Sequence, residues 1–200
     1  KIWEALRSEP KDIAAVVAET GLDQSLVAAT SAEAQEQGYM KVEVRNRVEV
    51  DPADDAQARI EAGLPERQAA KLLGEQGGEL VLPEFVAQAK KHDIAVNEVF
   101  RWGGARGWIE RVKQPQGPPK VVLTDKGREA MDNEAPDECA LRLACSGLRF
   151  LDEQAARGVD GDAVHKLLGK RKDLAKLRDR TQRVLSLTDA GLSGLEQAQV

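Results

Sequence analysis

Aromatic side chains are scarce: three Trp, three Phe and one Tyr make up 4% of the 200 residues. A single large core normally draws much of its buried area from such side chains. The shortage favours small helical modules packed with Leu, Val and Ala. Cysteine is limited to Cys139 and Cys145, and histidine to His92 and His165. A structural zinc site needs about four nitrogen or sulfur ligands at short spacings, and these residues offer none of those spacings, so no metal is expected. Two free thiols fit a reducing compartment, hence the cytoplasm. No apolar run reaches the roughly 18 residues that would suggest a membrane helix, and Lys1-Ile2-Trp3-Glu4 opens no signal peptide. The chain also starts without Met, which raises the expectation of a piece cut from a longer polypeptide. Positive charge is not in excess: 29 Lys and Arg against 34 Asp and Glu give −5. Overall attraction to a polyanion is therefore excluded, and any polyanion site must be a local patch.

What is present is a repeat. Val121-Val122-Leu123-Thr124-Asp125-Lys126-Gly127 recurs as Val184-Leu185-Ser186-Leu187-Thr188-Asp189-Ala190-Gly191, offset by 64 residues. Each copy reads as a short strand, then Leu-Thr-Asp-x-Gly, then a helix capped by Thr or Asp. A weaker copy, Val48-Glu49-Val50-Asp51-Pro52-Ala53-Asp54, begins another helix. The spacing predicts three units with boundaries 1–53, 54–135 and 136–200.

In the first unit Pro10 opens a helix through Ile13, Val16 and Val17 that Gly21 stops. Asp23 caps a second helix that Gly38 stops. Tyr39–Val44 and Arg47–Val50 alternate with period two around Arg45-Asn46, a predicted hairpin. Helix-turn-helix followed by a two-stranded wing is the winged-helix pattern. The second unit repeats it with helices at Leu64-Pro65, Pro83 and Ile94–Trp102. Its wing is Trp108–Val112 and Lys120–Leu123, tipped by a Pro-rich loop. The third unit carries a helix from Asp137, another capped by Asp160 or Asp162, a third over Lys170–Leu177, and a strand over Arg180–Leu187. The expected fold is thus mainly α with small β wings (α+β), arranged as three tandem winged-helix modules.

One segment departs from the mean charge. Lys166, Lys170, Arg171, Lys172, Lys176, Arg178, Arg180 and Arg183 stand against only Asp173 and Asp179, a local surplus of six that leaves the remainder at −11. Such a concentration suits contact with a phosphate backbone, where each neutralised phosphate releases counterions; a solvated helix face is the plainer alternative. A second candidate cluster is Arg101, Arg106 and Arg111 around Trp102 and Trp108, since Arg beside Trp can grip a ribose-phosphate segment or stack on a base. The alternative there is that both Trp residues simply fill a small core. The helix Asp23–Gln37 carries three acids and no base, so it is unsuited to lie along phosphates. No catalytic pattern emerges. Gly169-Lys170 lacks the phosphate-loop spacing, with Val164 where the first Gly belongs and Arg171 in place of Ser or Thr. Gly103-Gly104-Ala105-Arg106-Gly107 follows a helix, not the strand a dinucleotide site requires.

These features together resemble the N-terminal region of the phenylalanyl-tRNA synthetase alpha subunit of archaeal and eukaryotic type. Trp108-Ile109 matches a Lys-Trp-Ile stretch of that family. Leu167 with Lys170-Arg171-Lys172-Asp173-Leu174 matches its Leu-x-Lys-Arg-Lys-x-Leu run, with the leading Leu displaced. Val50-Asp51-Pro52-Ala53 departs from the Leu-Thr-x-x-Gly that closes the family's first unit. The resemblance implies a non-catalytic region that touches the elbow of a phenylalanine-specific tRNA, through the eleven cations just named. It also implies a class II catalytic domain further along the polypeptide, using ATP and magnesium that this region does not bind, and a beta subunit in a heterotetramer. A tandem winged-helix transcription regulator and a protein-interaction scaffold are the alternatives.

Overall fold

A computed structural model describes residues 1–198. They fall into two compact units: Lys1–Glu49 together with the chain from Arg178 onward, and Val50–Leu177. The mixed α and β content, with small antiparallel sheets, agrees with the expected class.

The first unit opens with α1 (Ile2–Ala5), β1 (Lys11–Asp12), α2 (Ile13–Thr20), α3 (Gln24–Glu36) and β2 (Met40–Pro52). The short α1 was not anticipated; Ile2, Ala5 and Leu6 join Val16, Val27, Ala34, Met40 and Leu185 in the unit's core. The expected start at Pro10 moves to Ile13 because the cap is Asp12, whose Oδ1 accepts the Ala15 N–H at 2.7 Å. Asp23 caps α3 as its position suggested, accepting from Ser25 and Leu26 N–H. The hairpin expected at Arg45-Asn46 is not formed: β2 runs straight through it for 13 residues. Its partner comes instead from the far end of the chain.

The second unit continues with α4 (Ala56–Ala62), α5 (Pro65–Glu75), β3 (Glu79–Val81), α6 (Leu82–Lys91) and α7 (Val96–Glu98). A π-helical turn over Val99–Gly103 leads into α8 (Gly104–Arg106), which ends at Gly107 in the left-handed conformation, φ 70°. Then come β4 (Ile109–Val112), β5 (Lys120–Leu123), α9 (Asp125–Met131), α10 (Pro136–Cys145), α11 (Leu151–Ala155) and α12 (Gly161–Leu168). Leu73, Phe85, Ala89, Val99, Trp108, Ile109 and Val121 are among its core residues. The helix expected over Lys170–Leu177 is absent: that stretch is a turn followed by the start of β6 (Ala175–Leu187). The chain returns along β6 to the first unit and ends its described part in α13 (Asp189–Gln197).

The strand order is β1-β6-β2 in one sheet and β3-β5-β4 in the other. In the first unit Thr188 N–H donates to Tyr39 O, while Asn46 meets Thr181 and Arg47 meets Gln182, so β2 and β6 run in opposite directions. Because the strand beside β2 arrives more than a hundred residues later, the divide between units falls inside β2 and β6. The expected boundaries at 53/54 and 135/136 do not coincide with it.

The repeat has a matching local cause in both copies. Thr124 Oγ1 accepts the Gly127 N–H at 3.1 Å and donates to Gly107 O at 2.5 Å; Thr188 Oγ1 accepts the Gly191 N–H at 3.2 Å and donates to Gly38 O at 2.6 Å. Each Thr N–H also reaches across, to Trp108 O and Tyr39 O respectively. Glycine stands three residues on because a Cβ there would collide with the same Trp108 or Tyr39 carbonyl. The motif thus fastens the strand-to-helix corner to the strand or turn beside it.

Candidate nucleic-acid interface

Within the second unit the two sequence clusters converge on one side chain. Trp102 sits on the π-helical turn, 5% exposed, its Nε1–H donating to Glu98 Oε2 at 2.5 Å. The guanidinium carbon of Arg101 lies 4.7 Å from its ring centroid and that of Arg171 lies 4.6 Å from it. Both are cation–π geometries. Arg101 is exposed and Arg171 is buried, so the indole contacts one surface cation and one interior cation. The plainer reading of the tryptophans holds in part: Trp102 and Trp108 are both buried, and each also carries two arginines.

Arg171 and Arg106, expected on a phosphate-facing surface, belong instead to a buried ionic network. Glu66, fully buried in the first turn of α5, accepts Arg171 Nη1–H at 2.5 Å and Arg106 Nε–H at 3.0 Å through one oxygen, Oε1. Arg106 forks onto Asp137 of α10, at 2.8 and 2.5 Å. Arg67 forks onto Glu138 at 2.7 and 2.5 Å and also donates to Ala130 O and Asn133 O. The rings of Trp108 lie 4.7 Å from Arg106 and 5.0 Å from Arg67. Three arginines meet three carboxylates, so the cluster is formally neutral, the condition under which charges survive burial. Burial opposes the charge on Arg106, but the Asp137 hydrogen bonds and the charges of Asp137, Glu66 and Glu138 outweigh it and raise its pKa. The Glu138 hydrogen bond likewise raises that of Arg67. Among the described residues, Glu66 Oε2 and Arg171 Nε and Nη2 find no hydrogen-bond partner.

The other predicted cations are exposed. In the second unit, Lys166 lies on α12, Lys170 and Lys172 in the turn after it, and Lys176 near the start of β6. Lys172 and Lys176 share a groove with Asp51 and Asp54, which dilutes their field. Asp173, the acid within that turn, is held by Arg59 at 3.0 Å. Arg111, on β4, lies 4.9 Å from the Phe100 ring. Arg178, Arg180 and Arg183 belong to the first unit, where Arg180 is paired with Glu49 at 2.6 Å and Arg183 borders a groove with Val42 and Val44. The run of eight cations is therefore divided: Arg171 is buried on Glu66, Arg180 is held by Glu49, and Lys170 and Lys172 flank the buried Arg171.

Sequence reasoning missed Glu66 and Asp137. Each follows a proline at the start of a helix, in Pro65-Glu66 and Pro136-Asp137. An acid in a first turn reads as an ordinary complement to the helix dipole. Their arginine partners lie 105 and 31 residues away, beyond any local signal.

No family model matches the chain. It is similar to the phenylalanine–tRNA ligase alpha subunit of Pyrococcus horikoshii, 27% identical over 181 residues. The match takes in 88% of this chain and 33% of that relative, so the chain spans about a third of the relative's length.

Proposed function

We propose that this chain is the tRNA-binding part of a phenylalanine–tRNA ligase alpha subunit, contacting the tRNA elbow through winged-helix modules. The observation that carries the reading is the similarity along 88% of the chain to such a subunit. The topology supports it: helix, strand, two helices, two strands and a closing helix describe α1, β1, α2, α3, β2, β6 and α13 of the first unit. They also describe α5–α9 of the second when α7, the π-helical turn and α8, which run on without a break, are counted as one helix. Both sheets set their last strand in the middle. A third module is completed by α10, α11 and α12 with the β2 and β6 segments of the second unit, where Val50 N–H reaches Arg149 O.

In this reading Arg101, Lys170 and Lys172 face the RNA around Trp102, with Lys166, Lys176 and Arg111 as further phosphate contacts. Arg178, Arg180 and Arg183 extend the basic run along β6. A-form RNA has a deep, narrow major groove that side chains cannot read, so shape and backbone contact is the expected mode. The catalytic part, with ATP and magnesium, and the beta subunit belong to the rest of a cytoplasmic assembly.

Binding of a transcribed phenylalanine tRNA, followed by fluorescence anisotropy between 50 and 200 mM salt, tests this. The expected result is binding that weakens steeply with salt, exceeds that of duplex DNA of equal charge, and protects the D and T loops from hydroxyl radicals. Preference for duplex DNA would indicate a transcription regulator. No RNA affinity at low salt would indicate a protein scaffold.

A further inference from the structure

We propose that Glu66 is a positioning residue for the RNA-facing turn: through Arg171 it sets where Lys170 and Lys172 stand, without touching the nucleic acid. The inference rests on the tRNA-binding reading above and adds to it a residue 104 positions from the nearer lysine.

Arg171 is the hub of the turn that joins α12 to β6. Its N–H donates to Leu168 O at 2.9 Å, and its carbonyl accepts from Leu174 at 2.9 Å and Ala175 at 3.2 Å. Its side chain is 1% exposed, between Glu66 and the Trp102 ring. The residues on either side, Lys170 and Lys172, are exposed. Drawing the middle member of Lys-Arg-Lys inward leaves its two neighbours at the surface, and Arg59 takes up the adjacent Asp173. Arg101 lies 4.7 Å from the same Trp102 ring that Arg171 contacts, so the anchor keeps the turn near the third surface cation.

Stability alone gives no reason for this arrangement. A buried ion pair is often matched or bettered by apolar side chains of the same volume. A guanidinium held by a carboxylate and an indole fixes one placement of its backbone, because its planar fork meets its partners in few geometries. Glu66 serves Arg171 and Arg106 with a single oxygen, which ties the turn to the network that also holds α5 and α10.

The test uses the full chain, a transcribed phenylalanine tRNA and anisotropy across salt. Glu66→Gln keeps every surface cation. It is expected to weaken binding about tenfold at 0.1 M salt and to make the salt dependence shallower by about 1.5, the effect of two lost phosphate contacts. Lys170→Gln with Lys172→Gln should do the same, and adding Glu66→Gln to that pair should weaken binding no further. A general loss of fold would instead add to it. If Glu66→Gln alone fails to fold, Glu66→Gln with Arg171→Gln removes one charge of each sign, keeps the core neutral, and carries the same expectation. Wild-type binding by Glu66→Gln while the lysine pair loses affinity overturns the positioning role and leaves the tRNA reading intact. So does a full additional loss in the triple variant. Wild-type binding by the lysine pair overturns the assignment of this face, and the positioning role with it.

Discussion

Replacing Arg106 with Met probes the buried network most directly. Its side chain is 4% exposed and its two partners, Asp137 and Glu66, are 1% and 0% exposed. Glu66 keeps Arg171, but Asp137 loses both hydrogen bonds of its fork, and the cluster becomes two cations against three acids. Breaking a buried pair from one side costs roughly 3–5 kcal/mol, a large share of the 5–15 kcal/mol typical of whole domains. On a unit of this size it corresponds to a fall in Tm of roughly 10–20 °C. Urea unfolding followed by tryptophan fluorescence suits the question, because Trp102 and Trp108 lie in the unit that holds the network. Adding Asp137→Asn should recover at least half the loss, since the orphaned charge is then gone. A loss below about 1 kcal/mol for Arg106→Met, the size expected of a surface pair, would refute the claim that these charges depend on one another.

Other expectations follow from local geometry. Gly127→Ala places a Cβ against the Trp108 carbonyl and a Leu123 methyl; a cost of about 1–3 kcal/mol in urea unfolding is expected. Gly191→Ala meets the Tyr39 carbonyl in the same way and should cost a similar amount. Burial pushes the Cys139 and Cys145 thiols above their ordinary pKa, so iodoacetamide at pH 8 should label both more slowly in the folded chain than in urea. The hydrogen bond from Arg142 holds Glu134 below the usual carboxylate range. Any stability it gives is present above the unfolded pKa and lost as pH falls through the lower folded one. Both side chains are largely exposed, so Glu134→Gln should cost less than about 0.5 kcal/mol at pH 7.

Much of the local structure was legible. The caps at Asp23 and Thr124, the stop at Gly21 and the Thr-x-x-Gly corners depend on residues within a few positions of one another, and those interactions are written into neighbouring letters. The hairpin at Arg45-Asn46 was misread because strand periodicity says that a segment is extended but not which segment lies beside it. A straight β2 paired with β6 has the same alternation as a hairpin. The helix expected over Lys170–Leu177 failed for a related reason: its charged residues suit a helix face, yet Arg171 is buried against the distant Glu66 and its backbone closes a turn there.

The candidate site divides along the same line. The sequence alone determined how much positive charge the chain concentrates, and that it concentrates it in one run, since charge is a property of each residue. Only the tertiary structure decided which of those charges reach solvent. Arginine carries the same charge at the surface and in the interior; whether it faces a phosphate or a buried carboxylate depends on a partner such as Glu66, which the fold brings from 105 residues away. Desolvation and pairing act through space, and no spacing along the chain encodes them.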